Sequence, residues 1–371
     1  MIKILQVSKF YYPRIGGIER IVGQIAEELN KDSQFKVEVL CCEKRRRVEV
    51  FNNTKVYRAK ILFNFWHLPI SLDFFRLFRR KRDNYHIIDL HHPFPLADLA
   101  LFLFPTKAKI VVHYHSDIVR QKFLEIFIRP FLYHTLKKSS KILVSNPNLV
   151  RTSPILQKFS YKCVVVPFGV SLSKYQNPNT QKINEIKQRY GNFVLFVGRL
   201  SYYKGVSYLI EVIKDIPTNL VIIGDGPERN KLHRLVKKLQ ITSKVYFLPF
   251  QEEEDLICFY HACKFLVLPS IYRSEAFGIV LIEAMTCRKP VISTELGTGT
   301  SWANKDNVTG FVVKAKDKKA LKKAIERLLF EKDLYQKFSN NAFLRAKKLF
   351  REEAMIKKIK EIYLKAVQLN Q

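Results

Sequence analysis

"KFLVLPSIYRSEAFGIVLIEAMTCRKPVIST", residues 264–294, decides how this chain is read. Two short apolar runs, "KFLVLPS" and "KPVIST", bracket a stretch of helical length. The helix is expected to start at Gly278 and to run to Cys287. Near-continuous apolar strands alternating with helices argue for a parallel sheet covered on both faces. Within the stretch, Glu275 and Glu283 stand eight positions apart in almost wholly apolar company. Burying a charge is costly unless it is paired or hydrogen-bonded. Both carboxylates must therefore reach water or face a hydrogen-bond donor.

The same alternation extends toward both ends. "NFVLFVGRL", "NLVIIGDG" and "KVYFLPF" precede the quoted stretch as strands, giving five in the second half. The first half opens with the strand "IKILQVS" and the loop "FYYPRIGG". A helix follows, with Ile18, Ile21, Val22, Ile25 and Leu29 at helical spacing. "VEVLCC", "HIIDLHH", "KIVVHYH", "KILVSN" and "KCVVVPFG" continue as strands. The pattern restarts across "VPFGVSLSKYQNPNTQ", residues 166–181, which is rich in Pro, Asn, Ser and Gly. Two doubly wound domains are expected, 1–168 and 169–350, with the basic tail 351–371 packing back on the first. Ligands in such sheets sit at the carboxyl ends of strands, so a site between two facing domains should draw on both.

Composition bounds the function. The chain has 371 residues, 47% hydrophobic, enough for about two globular cores. Cysteines 41, 42, 163, 258, 263 and 287 form no C-x-x-C pair and suit no structural zinc, so they read as reduced thiols. The opening "MIKILQVSKFYYP" does not read as a signal peptide, and no run reaches the ~20 apolar residues of a membrane helix. Sixty-four Lys+Arg against 33 Asp+Glu give a net charge of +31. A solvated basic surface, an anionic membrane partner and nucleic acid all fit that excess. Nucleic acid ranks last, because the cations form no single tract and no recognition module is visible.

The strand ends carry the chemistry. Gly198 and Arg199 follow the first strand of the second half, and Lys204 and Gly205 come shortly after. Two cations and two glycines there suit a diphosphate, although in so basic a chain they also read as surface residues. Gly224 and Gly226 permit tight turns after the next strand, and Pro227 suits a first helical turn. Phe277, Gly278 and Ile279 form the amino end of a helix, where backbone N–H groups favour an anion. "RIGGIER" offers Gly16 and Gly17 but lacks the dinucleotide fingerprint, which disfavours a nicotinamide or flavin enzyme. Glu19 suits either an acceptor contact or the acid-favouring first turn of a helix. Histidines 91, 92, 113 and 115 do not converge on a metal by spacing alone. Residues 68–83 are amphipathic, with Arg76, Arg79, Arg80, Lys81 and Arg82 clustered beyond Leu72 and Phe75. They read as an interfacial helix or as a core helix with a solvated basic end.

Five segments in order resemble glycosyltransferase family 4: "GGIER" (16–20), "HYHSD" (113–117), "GRLSYYKG" (198–205), "GDGPE" (224–228) and Glu275 with Glu283. "HHPFPLADLAL" and "LGTGTSW" further resemble its mannosyl- and rhamnosyltransferase branch, which builds surface polysaccharides. The resemblance implies the GT-B fold, two Rossmann-like domains facing across a cleft. It implies a retaining transferase that takes a hexose, mannose from GDP-mannose first, to a lipid-linked or polysaccharide acceptor. A UDP- or dTDP-sugar is the alternative donor. A non-catalytic basic scaffold is the remoter one, and it would need no set of Arg199, Lys204, Glu275 and Glu283. By the same resemblance Glu283 binds ribose, Glu275 the donor sugar, and Arg199 and Lys204 the diphosphate with help from Gly278 and Ile279. His115 lies near the sugar. Leu248 is placed near the base by position, and His92 and Asp117 on the acceptor side. No metal or other cofactor is implied. The partners expected are a nucleotide sugar, a lipid-linked saccharide and, through Arg76 to Arg82, an anionic membrane, with no nucleic acid. The expected location is cytoplasmic, peripheral on the inner face of the membrane.

Overall fold

The computed structural model describes residues 1–14, 16–65, 68–117 and 122–368, which divide into two compact units. Unit 1 comprises 1–167 with 355–371, and unit 2 comprises 168–354. Unit 1 contains β1 (Ile2–Val7), α1 (Gly17–Asn30), β2 (Phe35–Glu43), β3 (Arg47–Phe51), β4 (Thr54–Lys60), β5 (Phe63–Phe65) and β6 (Leu68–Ile70). It continues through α2 (Leu72–Lys81), β7 (Ile87–His92), α3 (Pro95–Leu103), β8 (Lys109–Tyr114), α4 (Lys122–Lys138) and β9 (Lys141–Val144). The short α5 (Pro147–Thr152) and α6 (Pro154–Lys158) lead to β10 (Cys163–Val165). Unit 2 opens with α7 (Leu172–Gln176), α8 (Thr180–Tyr190), β11 (Phe193–Val197), α9 (Val206–Ile213), β12 (Asn219–Ile223) and α10 (Arg229–Lys238). Then come β13 (Val245–Leu248), α11 (Glu253–Ala262), β14 (Leu266–Leu268), α12 (Ile279–Thr286), β15 (Val291–Glu295) and α13 (Thr300–Ala303). The chain ends with β16 (Gly310–Lys314), α14 (Lys318–Phe330), α15 (Lys332–Leu349) and α16 (Glu352–Gln368).

Each unit is a doubly wound sheet. The order in unit 1 is β10-β9-β8-β7-β1-β2-β4-β3, parallel except for β3. Unit 2 runs β13-β12-β11-β14-β15-β16, all parallel. The chain reverses direction across the sheet between β1 and β7 in unit 1, and between β11 and β14 in unit 2. These switch points open crevices at the carboxyl ends of the strands, where such sheets bind ligands.

The quoted stretch folds as read. β14 and β15 pair in parallel, Leu266 opposite Val291, with α12 between them in the chain. Five strands lie outside the apolar runs of the sequence: β3, β4, β5, β6 and β16. β16 is a short "GFVVK" run, and β3 and β4 carry many charges. Arg58 of β4 is wholly buried. Its guanidinium donates to Glu49 at 2.6 Å and to the Tyr12 carbonyl, and faces Glu43 at 3.4 Å. That set compensates the buried charge and ties the loop after β1 to the sheet edge.

The tail divides. Phe350 accepts through its carbonyl from Val170, and Arg351 bridges to Val170, so both stay with unit 2. From Met355 on, α16 belongs to unit 1, where Met355, Ile356, Ile359 and Tyr363 are buried and Lys360 pairs with Asp32 at 2.7 Å.

The reading of residues 68–83 as an interfacial helix needs correction. α2 is capped by Ser71, whose hydroxyl accepts from the Phe74 amide at 3.0 Å. Phe74, Leu77 and Phe78 face inward, in one core with Leu5, Leu40, Phe94 and Leu132. Phe74 stacks on Phe78 at 6.2 Å and meets Phe94 edge-on at 5.1 Å. Phe74 and Phe78 are wholly inside, and Phe75 packs against the same core, so the core-helix reading with a basic exposed end holds. Arg76, Arg79 and Arg80 remain exposed. Phe78→Ala should therefore cost ~3–5 kcal/mol in urea unfolding, by about the same amount in low and high salt. A change near zero would turn the apolar side of α2 away from the core.

Candidate active site

In unit 2 the switch point brings together residues far apart in sequence. β11 ends at Val197, and the backbone leaves through Gly198, at φ 148°. A Cβ at Gly224 would collide with the Gly198 carbonyl, so the loops after β11 and β12 pack backbone to backbone. Lys204 lies in a single turn of 3₁₀ helix after β11 and is only 9% exposed. Its Nζ stands 2.5 Å from Oε2 of Glu275, itself 7% exposed. The Ser270 hydroxyl, just beyond β14, donates to the same oxygen at 2.9 Å. Burial works against the Lys204 charge, but Glu275 outweighs it and holds the ammonium pKa above its ordinary value. The site is thus an ammonium–carboxylate pair inside the switch point. Arg199 is exposed beside it in sequence.

Glu283 faces inward from α12 and is 1% exposed. The Tyr260 hydroxyl of α11 donates to its Oε2 at 2.5 Å. The opening puzzle thus has a partial internal answer. Both carboxylates face protein donors, which leaves room for the ribose and sugar contacts that the resemblance implies for Glu283 and Glu275. Gly278 caps α12 in the left-handed region, φ 78°, and Ile279 is its first residue. The Phe277 side chain belongs to the core: it meets Phe168 at 4.9 Å, Phe350 at 6.0 Å and Trp302 at 6.2 Å. That packing leaves the expectation placed on Phe277, a backbone N–H at the amino end of α12, to the main chain alone. Leu248 is half-buried, its carbonyl accepting from Gly224 N at 3.0 Å. Beside β13 an open hollow of about 340 Å³ is lined by Tyr190, His233, Phe247 and Leu248, with His233 stacked on Phe247 at 4.0 Å.

In unit 1 the β1/β7 switch point holds a second buried set. β7 and β8 pair with His91 opposite His113. This register gathers side chains that linear spacing alone keeps apart. Asp89 Oδ2 lies 3.2 Å from His91 Nε2 and accepts from the Gln6 amide at 3.3 Å. Asp89 Oδ1 lies 3.2 Å from His113 Nε2. His91 Nδ1 and His115 Nε2 share a hydrogen bond of 2.9 Å. The His91 ring lies near-parallel to those of His113 and His115, at 4.6 and 5.2 Å, and those two are 6.2 Å from each other. Asp89, His91 and His113 present ligand atoms within 4.8 Å of one another, a donor set that suits a divalent cation such as zinc.

His92 is wholly buried, stacked on Tyr114 at 4.6 Å with Nδ1 3.6 Å from Asp98, so it presents no acceptor surface within its unit. Asp117 accepts from Tyr114 at 2.8 Å and from Ser153 at 2.6 Å, which anchors the loop after β8. Gly16 and Gly17 open α1, and the Glu19 carboxylate folds over Gly16, where a Cβ would strike it. Lys9 went unnoticed. Burial and the charge of Arg14 push its pKa down to about 8, with Glu19 opposing. Ser270 was detectable as the residue after an apolar strand and a proline. Tyr260 had no linear signal.

Comparison with known proteins follows the two units. The glycosyltransferase family 4 model matches residues 15–174, and the model for glycosyl transferases group 1 matches 178–345. The O-antigen chain mannosyltransferase C of Escherichia coli is 33% identical over 364 residues, 97% of this chain and 98% of that protein. The chain is a family 4 glycosyltransferase. D-rhamnosyltransferase WbpZ of Pseudomonas aeruginosa is 32% identical, over 94% of this chain and 92% of that one. The family 4 chain also shares its GT-B fold with HepE of Anabaena, solved with UDP, at TM-score 0.80 and 19% identity over 97% and 99% of the two chains. Sucrose-phosphate synthase from Thermosynechococcus elongatus gives 0.83 and 21% over 98% and 99%.

The histidine set carries a pH signature. Burial is the main cause that pushes His113 down to about 4, against the pull of Asp89. Burial, then the neighbouring His91, pushes His115 well below its ordinary value of 6.5. An unfolded chain takes up these protons as pH falls below about 6.5, while the folded rings stay neutral. Stability present above pH 6.5 is therefore lost toward pH 4. The thermal midpoint should fall across that window, and His113→Gln should make the fall shallower. A parent midpoint flat across pH 6.5 to 4 would contradict the neutral, buried placement.

Proposed function

We infer that this glycosyltransferase moves a hexose, mannose from GDP-mannose in the first instance, onto a lipid-linked saccharide of a surface polysaccharide. The observation that carries the reading is the Lys204–Glu275 pair at the β11/β14 switch point, with Arg199 exposed alongside. A nucleotide diphosphate brings negative charge to a strand end already provided with cations, glycines and a helix N-terminus. The named activities of the E. coli and P. aeruginosa relatives favour mannose or rhamnose, and the UDP complex of HepE supports a nucleoside diphosphate at this fold.

In this reading the bond from the anomeric carbon to the diphosphate oxygen breaks, and a bond from the acceptor oxygen forms on the same face. The leaving phosphate takes the acceptor proton, so the anomeric configuration is retained without a protein base. Charge grows on the phosphate oxygen as the bond breaks. Lys204 and Arg199 then stabilise the transition state more than the ground state. Gly278 and Ile279 add backbone N–H groups at the start of α12. As Lys204 turns to phosphate, Glu275 becomes available to the sugar hydroxyls, with Ser270 still holding it. Glu283, steadied by Tyr260, takes the ribose. His115 is assigned to the sugar.

Arg199→Ala is the clean test, because an exposed side chain can go without unfolding the unit. It should lower kcat ~100-fold at an unchanged thermal midpoint. Among GDP-mannose, UDP-N-acetylglucosamine, UDP-galactose and dTDP-rhamnose, GDP-mannose should bind tightest by calorimetry and be hydrolysed fastest. Activity should persist in chelator. Full activity of the Arg199 variant would remove the diphosphate assignment, and preference for a UDP- or dTDP-sugar would replace the donor.

A further inference from the structure

Asp89, His91 and His115 form one line of contacts at the carboxyl ends of β7 and β8. Asp89 and His91 stand two residues apart on β7, so both side chains leave the same face of the sheet. His115 follows β8, and its amide donates to the His92 carbonyl at 3.1 Å. All three side chains are buried. Asp89 Oδ2 lies 3.2 Å from His91 Nε2, and His91 Nδ1 lies 2.9 Å from His115 Nε2. The planes of the two rings are 17° apart, with centroids at 5.2 Å. With the nitrogens at 2.9 Å, that separation sets the rings edge to edge. An N–H on one and a lone pair on the other, both in the ring planes, can then point at each other.

This line fixes where the protons sit. A neutral imidazole carries one N–H, and an ionised carboxylate only accepts. The nitrogen that faces Asp89 is therefore the donor, so His91 holds its proton on Nε2 and its lone pair on Nδ1. His115 Nε2 meets that lone pair and donates to it, which leaves the lone pair of His115 on Nδ1. The opposite pattern would set the His91 Nε2 lone pair against a buried carboxylate oxygen and lose a hydrogen bond there. Asp89 is itself held. The Gln6 amide donates to the same Oδ2 at 3.3 Å, and His113 Nε2 stands 3.2 Å from Oδ1.

We propose that Asp89 and His91 are positioning residues that fix His115 with its proton on Nε2, so that its Nδ1 accepts a hydrogen bond from a hydroxyl of the transferred sugar. An acceptor suits the chemistry. Positive charge grows on the sugar as its bond to the diphosphate breaks, and a lone pair aimed at a sugar hydroxyl favours that charge where an N–H would oppose it. The line orients a dipole and moves no proton. Its purpose rests on the assignment of His115 to the sugar, whereas the tautomer does not.

Nitrogen-15 spectra of the histidine rings in the full-length protein at pH 8 test the tautomer, with signals assigned by their loss in His91→Phe and His115→Gln. The parent should show His91 and His115 both protonated on Nε2, with a scalar coupling across the bond between them. His115 protonated on Nδ1, or His91 protonated on both nitrogens, overturns the proposal. So does a stoichiometric divalent cation in the purified protein, because a metal on His91 Nε2 would move the His91 proton to Nδ1 and the His115 proton to Nδ1 as well. With GDP-mannose as donor, His91→Phe should lower kcat about tenfold, the weight of one hydrogen bond. KM should stay within about twofold, because the diphosphate and ribose contacts do not involve this line. His91→Gln carries a donor for Asp89 and an acceptor for His115 on one amide, so it should recover most of kcat. Equal losses in the two variants at equal thermal midpoints would reduce His91 to a matter of shape and overturn the positioning role. The spectra decide the tautomer whether or not GDP-mannose is turned over, so failure of the transferase reading is told apart from failure of this one.

Discussion

A lysine and a glutamate removed from water at one strand end must neutralise each other, and much of unit 2 is arranged so that they do. Lys204 reaches Glu275 because β11 and β14 are neighbours in space though some seventy residues apart in the chain. The parallel crossover makes them neighbours, and Gly198, Gly224 and Gly205 let the loops close without side chains in the way. A Cβ at Gly205 would strike the Pro269 carbonyl, just before Ser270. Removing one partner of such a pair leaves an uncompensated buried charge, at a cost of about 3–5 kcal/mol. Removing both with apolar residues of similar size costs far less. The pair is therefore weak evidence for stability and better evidence for a site where an arriving anion completes the set.

Unit 1 repeats the device with different chemistry. Its switch point holds a carboxylate, Asp89, faced by the Gln6 amide and by the rings of His91 and His113. Tyr363, from the tail helix, is buried against the same carboxylate and its ionisation is suppressed by burial and by Asp89. The last helix of the chain thus helps close the crevice that the first strand opens. Both units carry their polar clusters where the strand order reverses, because only there do adjacent loops leave in opposite directions and make room.

The legible and illegible parts of the sequence divide along physical lines. Parallel strands buried on both faces read as continuous apolar runs, so "NFVLFV", "NLVII" and "KFLVL" announced themselves. Lys204, Glu275 and Glu283 stood out because charges beside such runs need a reason. Ser270 and Tyr260 did not, since hydroxyls are common and Tyr260 meets Glu283 only through the packing of α11 on α12. β4 hid behind Arg58, whose burial is intelligible only with Glu43, Glu49 and the Tyr12 carbonyl in place. The α2 pattern was ambiguous in principle. Period 3.6 shows that a helix has an apolar side but not whether that side meets a core or a bilayer.

That ambiguity resolves through the balance between burial and charge. An apolar face inside a core leaves the opposite face as the only place for cations, so the same amphipathic pattern yields a basic exterior whichever solvent the apolar side avoids. The excess of 31 positive charges cannot be stored inside, where each would need a partner such as Glu275 or the set around Arg58. It lies outside, where ions screen it beyond ~8 Å at physiological salt. Within that distance it raises the local concentration of any polyanion, a nucleotide diphosphate or a lipid head group alike. Selectivity has to come from what the field cannot supply, namely the fixed donors around Glu275 and Glu283.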